Sequence, residues 1–306
     1  MTTQATQATQ ATQATQATQP TQPPQTTQTT QPMREVPLTW LYVPGDRPET
    51  MAKALAADAD VVLVDLEDAV APDRKEYARA ATADLLAEPP PVPVHVRVNA
   101  LDGPEFAADL AALHALAPLG TLAGLRLPKV SSPAQILRTA DRAPHLPLYA
   151  LLESALGVEH AYAIATAHPA LRGIALGETD LRADLGVRAD AGLDWPRSRV
   201  VLAARAAGLA PPPQSVHPDV RDLDGLAASC AHGRALGFFG RAAIHPRQLP
   251  VIEAAYLPTP QEIETAETIL GAAAGRPGAQ ALPDGRFIDP AVVAGAHRTL
   301  ALARRT

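Results

Sequence analysis

The sequence predicts an α/β protein: a (β/α)8 TIM barrel with a C-terminal helical appendage and a disordered N-terminal tail. Three observations lead to this interpretation. Short apolar runs and helix-like segments alternate eight times between residues 34 and 258. Residues 1–33 are of low complexity, and residues 259–306 depart from the alternation. Eight strand-then-helix units in about 220 residues are typical of a closed parallel barrel.

The tail, residues 1–33, consists almost entirely of Thr, Gln, Ala and Pro in a near-triplet rhythm, and Arg34 is the first charged residue. Such a tract lacks the branched apolar and aromatic side chains whose burial would offset the entropy lost on ordering. It has neither the basic start and apolar core of a secretory signal nor the arginines of a transit peptide. We therefore predict that it is disordered.

Eight strands are predicted from short runs of apolar residues. They are Thr39–Val43, Val61–Leu66, Val94–Val98, Gly124–Leu127, Leu148–Leu152, Gly173–Leu176, Gln214–Val216 and Ala242–Ile244. Eight helices are predicted from the segments that follow, near residues 49–58, 74–87, 105–116, 133–141, 157–167, 196–208, 223–236 and 247–255. An open doubly wound sheet is the alternative, but no glycine-rich phosphate loop begins any of these helices, which favours the barrel.

The pattern changes after Pro260. A polar helix is predicted over Gln261–Ala274, followed by a loop rich in Gly and Pro and by a second helix start within Arg286–His297. These residues come after the eighth unit, so the sequence predicts a catalytic barrel over residues 34–258 and a separate helical segment over 259–306.

Composition excludes several classes of function. The formal net charge of −6 is spread along the chain without a basic block that would bind a nucleic-acid backbone. No run of eighteen apolar residues occurs, so no membrane span is predicted. Cys230 is the only cysteine, which rules out an intrachain disulfide and favours a cytoplasmic protein. Its helical surroundings predict a core residue rather than a nucleophile.

Polar residues at strand ends are the candidates for chemistry, because reacting groups in such barrels lie at the carboxyl ends of the strands. In the third predicted strand, alternation puts the valines on one face and His95 and Arg97 on the other. If the valines meet the helices, Arg97 projects into the barrel. Read singly, Arg97 also fits a structural ion pair, and His95 also fits an interior histidine. The charged run over residues 73–76 is predicted to be a solvated helix start.

Glu153 and Asp180 follow neighbouring predicted strands, so their carboxylates are expected to approach one point above the barrel. Two carboxylates, completed by water and substrate oxygens, make a site that suits Mg²⁺ better than zinc. No HExxH, paired CxxC or GxSxG motif occurs, so zinc-protease, redox and serine-hydrolase functions lack support.

The strand-end motifs together resemble the citrate lyase beta-subunit family, within the HpcH/HpaI aldolase group. The resemblance is collinear from Leu38 to the C-terminus. It lies in the motifs Leu41-Tyr-Val-Pro-Gly-Asp-Arg-Pro48, Val64-Asp-Leu-Glu-Asp-Ala-Val70, Val96-Arg-Val-Asn99, Leu127-Pro-Lys-Val130, Leu152-Glu-Ser-Ala-Leu-Gly157, Gly177-Glu-Thr-Asp-Leu181, Ala183-Asp-Leu-Gly186 and Ala243-Ile-His-Pro246.

This resemblance implies a Mg²⁺-bound barrel that cleaves or forms a carbon–carbon bond beta to a thioester carbonyl. It implies Glu153 and Asp180 as the metal ligands, and Arg97 as the residue that holds a substrate oxygen and stabilises enolate charge. Gly177 is a second candidate for substrate contact, with a purely structural turn as the alternative.

The same resemblance makes Asp289 the candidate acid/base. In related lyases this segment reaches over the barrel of a neighbouring subunit, which implies a homo-oligomer, expected to be a trimer. The family order is Ile-Asp-x-Pro, whereas Pro290 follows Asp289 directly here. Proline biases the preceding residue towards extended backbone, so the direction of the Asp289 carboxylate is expected to differ.

The expected substrate is a short 3-hydroxyacyl-CoA thioester such as malyl-CoA or citramalyl-CoA, cleaved with Mg²⁺ and with thioesterase activity as an addition. Two alternatives stay open at this point. One is the beta subunit of a multi-subunit citrate lyase, acting on an acyl carrier protein thioester. The other is a barrel that binds acyl-CoA or a keto acid without turnover, since fold alone does not fix function.

Overall fold

The computed structural model describes residues 36–114, 116, 119–275, 279–282 and 285–305. The predicted disordered tail, residues 1–33, lies outside the described residues. The chain forms an α/β structure around one parallel sheet. Its seven strands are β1 (Thr39–Pro44), β2 (Val61–Asp65), β3 (Val94–Arg97), β4 (Gly124–Leu127), β5 (Leu148–Leu152), β6 (Leu171–Leu176) and β7 (Arg241–Ala243).

The sheet is parallel throughout and runs in the order β6-β5-β4-β3-β2-β1-β7. Twelve α-helices occur in the described residues. They are α1 (Pro48–Leu55), α2 (Lys75–Leu85), α3 (Phe106–His114), α4 (Pro133–Arg142), α5 (Ala155–Glu159), α6 (Ala161–Ala165), α7 (Glu178–Leu185), α8 (Asp194–Ala206), α9 (Leu223–Leu236), α10 (Leu249–Tyr256), α11 (Pro260–Gly275) and α12 (Pro290–Ala303). Short 3-10 turns occupy Pro72–Arg74, Asp190–Leu193 and Pro246–Gln248.

The predicted strand at Gln214–Val216 is wrong: only Gln214 joins the sheet, as a single parallel bridge to Arg241. Its amide donates to Gly240 and its carbonyl accepts from Ala242, at 2.9 and 3.0 Å. Prolines at positions 211–213 and 218 flank this segment, and proline has no N–H to extend a ladder. The sheet therefore has seven strands rather than the predicted eight, and the bridge occupies the place of the missing one.

Alternation along the strands divides the side chains as predicted. Val94, Val96 and Val98 are fully buried in the apolar core between sheet and helices. His95 and Arg97 face the other way, towards the inside of the curled sheet. This confirms the expected inward direction of Arg97.

Two differences in the helices matter for the site. The predicted helix at 157–167 is divided into α5 and α6. Helix α7 is not among the predicted helices, because it is short and only Leu181 on it is buried. A weak amphipathic pattern of this length does not separate a helix from a loop.

The C-terminal region is helical, as expected. Helices α11 and α12 pack along each other, and a small antiparallel hairpin, β8 (Gln280–Ala281) and β9 (Phe287–Ile288), lies between them in the chain. Beyond α12, Arg305 donates to Asp60 at 2.5 Å, and Asp60 also accepts the backbone amides of Leu38 and Thr39. The end of the appendage is thereby attached to the beginning of β1. Among the described helices, none combines the length and the apolar character that a membrane crossing requires.

Candidate active site

The carboxyl ends of the strands surround one cavity of about 590 Å³. Every strand of the sheet contributes to its lining, and so does the Gln214 bridge. The contributing residues include Tyr42, Asp65, Arg97, Arg126, Leu151, Ala175 and Ala242, with Glu153 and Gly177 from the loops above and Asp180 from α7. Sequence reasoning placed the chemistry at this end of the sheet, and the cavity confirms that the predicted candidates from β3, β5 and β6 meet there.

Glu153 follows β5 directly and is only 5% exposed. Its Oε2 atom has no hydrogen-bond partner among the described residues, and the nearby carboxyl group of Asp180 interacts with it electrostatically. Burial, and then the nearby negative charge of Glu67, raise the pKa of Glu153 to about 8. Two neighbouring carboxylates repel each other, and a proton or a cation between them offsets that repulsion.

Asp180 lies in the first turn of α7, and the position of that helix is fixed by Arg197. The guanidinium of Arg197 is 3% exposed and binds both oxygens of Glu178, with Nε 3.0 Å from Oε1 and Nη2 2.7 Å from Oε2. A two-pronged bond between planar groups restricts orientation as well as distance. Arg197 therefore holds the start of α7, and with it Asp180, against α8.

Gly177, the residue before α7, leaves the room that Glu153 needs. A Cβ atom on Gly177 would lie 2.4 Å from Cγ and 2.7 Å from Oε1 of Glu153. Contacts that short do not occur between such atoms, so any side chain here would push the Glu153 carboxylate away. The structure thus gives Gly177 a packing role beside the ligand pair, while its predicted contact with substrate stays a prediction.

The pair fits a hard, oxygen-preferring cation. Glu153 and Asp180 supply two carboxylates at one point, one of them with a buried oxygen that no protein donor satisfies. Within the described ranges, no three Asp, Glu, His or Cys side chains are grouped as a metal cage. A Mg²⁺ ion suits this arrangement, since it keeps several waters and often takes only one or two carboxylates from the protein.

Arg97 is held by two acidic residues from the end of β2. Its Nε and Nη2 atoms lie 2.8 and 2.6 Å from the two oxygens of Asp65, and Nη1 lies 3.1 Å from Oε2 of Glu67. Burial opposes the charge, but hydrogen bonds to Asp65 and the acidic charges raise the pKa of Arg97 above its usual value. The structural ion pair is therefore present, and Arg97 lines the cavity as well.

Lys129 lies on the opposite side of Glu67. Its Nζ atom is 2.7 Å from Oε1 of Glu67, and its backbone has a φ of 54°, in the left-handed region that a non-glycine residue seldom adopts. Burial raises the pKa of Glu67, while Arg97 and Lys129 oppose that rise. Such strain is held in place only where surrounding contacts require it, and it gathers at functional sites.

The predicted solvated helix start at residues 73–76 is exposed at every position except Lys75, which is half-buried. Its Nζ atom lies 2.7 Å from each of three oxygens, the carbonyls of Leu66 and Glu67 and Oδ1 of Asn99. Three donors and three acceptors satisfy an ammonium completely. Lys75 therefore fixes the β2 loop that carries Glu67, a contact across the chain that local charge patterning does not reveal.

The floor of the cavity contains a second arginine. Arg126 of β4 is 4% exposed, its Nε atom has no hydrogen-bond partner, and its Cζ atom lies 5.4 Å from the centroid of the Tyr149 ring. His95 stacks on the same ring, with centroids 4.4 Å apart and an interplanar angle of 29°. Burial, and then the charge of Arg126, lower the pKa of His95 to about 3. His95 is thus a neutral interior histidine, which was one of the two interpretations of this residue from the sequence.

Asp289 does not line the cavity of its own chain. It is the N-cap of α12, where its Oδ1 atom accepts the amide of Val292 at 2.8 Å. Pro290 occupies the first helical position, which suits proline because the N–H it lacks would have no partner there. The unexpected Asp-Pro order therefore has a local reason, and the catalytic role of Asp289 stays a prediction.

Cys230 is fully buried in α9, and burial raises the pKa of its thiol. The prediction of a core cysteine is confirmed. Sequence reasoning did not single out Tyr42, Arg126 or Arg197. Alternation along β1 and β4 would have placed the first two inside the barrel. Nothing local to Arg197 indicates its bond to Glu178, nineteen positions away.

Comparison with known proteins adds three findings. The sequence model of the HpcH/HpaI aldolase/citrate lyase family matches residues 38–246. A protein named (3S)-malyl-CoA thioesterase from Cereibacter sphaeroides is 38% identical over 276 residues, covering 86% of this chain and 93% of the relative. A citrate lyase subunit beta-like protein from Mycobacterium tuberculosis is 37% identical over 269 residues, covering 85% and 93%.

Among solved structures, protein CitE from Mycobacterium tuberculosis in complex with magnesium, acetoacetate and coenzyme A is similar, with a TM-score of 0.76 and 36% identity. The match covers 89% of this chain and 99% of that chain. The likeness therefore includes the sheet, the cavity-forming loops and most of the C-terminal region.

Proposed function

Because the chain belongs to the HpcH/HpaI aldolase/citrate lyase family, we propose that it is a Mg²⁺-dependent enzyme of short 3-hydroxyacyl-CoA thioesters, such as malyl-CoA or citramalyl-CoA. The observation that carries this proposal is the interaction between the buried carboxyl group of Glu153 and the exposed one of Asp180, at the mouth of the cavity. Relatives in complex with magnesium and coenzyme A support the choice of metal and of thioester. We assign the chain to the cytoplasm on its single, buried cysteine.

The reaction we propose is cleavage of the bond between C2 and C3 of the acyl group. The C3 hydroxyl loses its proton to a base and becomes a carbonyl, and the bonding electron pair passes to C2 as a thioester enolate. The enolate then takes a proton at C2. A Mg²⁺ ion held by Glu153 and Asp180 would supply the positive charge that acidifies the hydroxyl.

Arg97 is suited to stabilise the enolate oxygen. A guanidinium has five N–H donors, and the two hydrogen bonds to Asp65 leave three of them, with the Glu67 carboxylate beside Nη1. The bonds to Asp65 fix the plane of the group before substrate arrives, so little reorganisation accompanies the reaction. The catalytic role of Arg97 requires the same ion pair that a purely structural role would require, so the two roles are compatible.

Hydrolysis of the thioester is the second candidate activity, favoured by the 38% identity to a malyl-CoA thioesterase. In that reaction water attacks the thioester carbonyl, the carbon–sulfur bond breaks, and CoA leaves as the thiol. Both reactions need the carbonyl oxygen held by a cation, so one site is able to serve both. They differ in product, since cleavage of C2–C3 releases a keto acid and an acyl-CoA with the thioester intact.

A screen of the purified protein with malyl-CoA and citramalyl-CoA separates these activities. Mg²⁺-dependent release of glyoxylate or pyruvate indicates the lyase, and release of free thiol indicates the thioesterase. The same acyl groups on an acyl carrier protein test the citrate lyase beta-subunit alternative. Substrate binding without any product in the presence of Mg²⁺ would contradict both enzymatic proposals and leave a binding barrel.

The metal ligands are tested by Glu153→Ala and Asp180→Ala, with Glu159→Ala on exposed α5 as the matched control. We expect each ligand variant to lower Mg²⁺ affinity by more than about 100-fold, since even the loss of an outer partner of a ligand costs 10–100-fold. Titration calorimetry measures this directly. Wild-type affinity in either ligand variant would refute the assignment.

We further propose that Asp289 acts as acid/base in the cavity of a neighbouring subunit, within a homotrimer. Its absence from the described lining of its own chain's cavity supports an exchange between subunits. The Asp289→Asn variant keeps a good N-cap while removing the acid, so it separates catalysis from helix capping. Mixed and reassembled with Glu153→Ala, it should recover activity, because some cavities then contain both intact groups. Verified mixed oligomers without activity would rule out the exchange.

A further inference from the structure

Helix α7 carries Asp180, and polar contacts rather than apolar packing hold most of it in place. All eight residues of α7 are described, and Leu181 is the one that is buried. Four hydrogen bonds from the Arg197 guanidinium, of 2.7 to 3.0 Å, bind both oxygens of Glu178 and both oxygens of Asp190. Paired bonds of this kind fix the orientation of a planar group as well as its distance. The position of Asp180 therefore depends on an ionic attachment of α7 to α8.

Two hydrogen bonds join α7 to the chain on either side of Glu153. Just before α7, the amide of Gly177 donates to the carbonyl of Leu152 at 3.1 Å. Near the other end of the helix, Oδ2 of Asp184 accepts the amide of Ala155 at 2.7 Å. Leu152 and Ala155 lie one residue before and two residues after Glu153. The segment that carries one carboxylate of the metal site is thus tied on both sides to the helix that carries the other.

Asp184 belongs to the motif at residues 183–186, which has no part in the proposed reaction. It follows Asp180 by four residues, so the two side chains lie on the same face of α7. Its side chain is exposed, and its partner Ala155 is the first residue of α5, where a backbone amide has no partner inside the helix. Asp184 therefore connects the two segments that carry the carboxylates of the metal site.

We infer that Asp184 is a positioning residue for the metal site: through its bond to Ala155 it sets the separation of the Glu153 and Asp180 carboxylates, and so favours a small cation. This inference rests on the proposed function, in which these two carboxylates hold Mg²⁺. Mg²⁺ requires oxygens at about 2.0–2.1 Å in near-octahedral geometry, whereas Ca²⁺ accepts distances of about 2.3–2.6 Å and irregular arrangements. A pair of carboxylates held at a fixed separation suits the smaller ion, and a pair that is free to move apart loses this selectivity.

Calorimetric titration of the substrate-free protein with MgCl₂ and with CaCl₂ measures this selectivity without turnover. In Asp184→Ala we expect Mg²⁺ affinity to fall by about 10–100-fold, the usual cost of removing a group that orients a metal ligand. Ca²⁺ affinity should fall much less, so the ratio of Mg²⁺ to Ca²⁺ affinity should drop by about 10-fold or more. Asp184→Asn keeps an oxygen that accepts the Ala155 amide, and it should retain most of the wild-type ratio.

Two simpler roles for Asp184 predict other results. If Asp184 acts only as a negative charge near the site, Asp184→Asn should lose as much as Asp184→Ala, and the two cations should be weakened alike. If it only stabilises the start of α5, the Tm of Asp184→Ala should fall while the affinity ratio keeps its wild-type value. The matched control is Asp224→Ala, which removes an exposed aspartate from the first turn of α9 and should leave the ratio unchanged.

Three outcomes would overturn the inference: an unchanged ratio in Asp184→Ala, an equal loss in Asp184→Asn, or an equal loss in Asp224→Ala. Failure of the proposed function looks different. The wild type would then convert no 3-hydroxyacyl-CoA thioester, while the ratio of Mg²⁺ to Ca²⁺ affinity would still respond to Asp184→Ala. An active wild type with a ratio that does not respond to Asp184→Ala would leave the proposed function intact and refute the role of Asp184.

Discussion

Two sides of one cavity surround the same kind of side chain in opposite ways. Arg97 and Arg126 are register partners on neighbouring strands, and both point inward. On the β2 side, Arg97 is surrounded by the carboxylates of Asp65 and Glu67. On the β5 side, Arg126 is bounded by aromatic rings and by Arg97 itself. The local sequence, Val-Arg-Val in one strand and Leu-Arg-Leu in the other, gives no sign of this difference.

The contrast shows how pairing changes the meaning of a buried charge. A paired arginine is part of the framework, because its removal strands its partners in a medium of low polarity. An unpaired one lowers stability, and Arg126 has no counter-ion among the described residues.

Replacement of Arg97 tests the first half of this contrast and should have the largest effect on stability. In Arg97→Met, Asp65 and Glu67 lose their shared cation while they remain buried, at 1% and 4% exposure. We expect a loss of about 3–5 kcal/mol in the free energy of unfolding, measured with denaturant. Arg138→Met is the matched control, since its pair with Asp102 is exposed on both sides and should cost less than about 1 kcal/mol. Equal losses of stability in the two variants would contradict the distinction between the buried and the exposed ion pair.

Substitution of Gly177 tests whether this glycine positions the Glu153 carboxylate. Gly177→Ala places a methyl group where the Glu153 side chain lies, so the ligand must move. We expect Mg²⁺ affinity to fall about 10–100-fold in calorimetry, as for other changes next to a metal ligand. Gly271→Ala, where a Cβ meets nothing within 4 Å, is the control and should leave the affinity unchanged. If both variants bind Mg²⁺ like the wild type, Gly177 does not position the ligand.

The burial of His95 should make the stability of the protein depend on pH. His95 titrates near 6.5 when unfolded and at about 3 when folded, facing Tyr149 and Arg126. Between these values only the unfolded chain binds the proton, so His95 lowers stability as the pH falls from about 6.5. From pH 6.5 to 5 this amounts to at most about 2 kcal/mol.

His95→Phe keeps an aromatic ring against Tyr149 and removes the titration. Its free energy of unfolding should therefore decrease less than that of the wild type over the same pH range, by up to the 2 kcal/mol just given. The exposed His114, replaced by Gln, should behave as the wild type does. A parallel decrease in wild type and His95→Phe would mean that His95 is not held neutral at the floor.

Much of the architecture followed from local patterns. Alternation predicted the inward direction of Arg97, and strand ends predicted the meeting of Glu153 with Asp180. Both inferences depend on periodicity and on the parallel sheet, which a single sequence conveys well. The predicted strand at Gln214–Val216 was wrong because the prolines on either side of it have no N–H with which to extend a ladder.

The parts that could not be predicted depend on distant partners. The bond between Arg197 and Glu178 joins α8 to α7, and Lys75 reaches three oxygens on other segments. The lack of a counter-ion for Arg126 among the described residues is harder still to predict, because neither composition nor residue spacing shows which charges are close in the folded protein. These contacts form because folding brings distant helices and strands together. A short window of sequence carries no information about that arrangement.

The Tyr149 ring and the two glycines beside it also constrain how this floor could change over evolutionary time. A side chain at Gly124 would collide with the ring at 2.6 Å, one at Gly173 would press on it at 3.1 Å, and a smaller residue at position 149 would leave a void beside Arg126. Substitutions that touch one another in this way have non-additive effects. The three positions therefore form an epistatic set: a single step away from any of them is costly, and a lineage that altered one would be expected to alter the others.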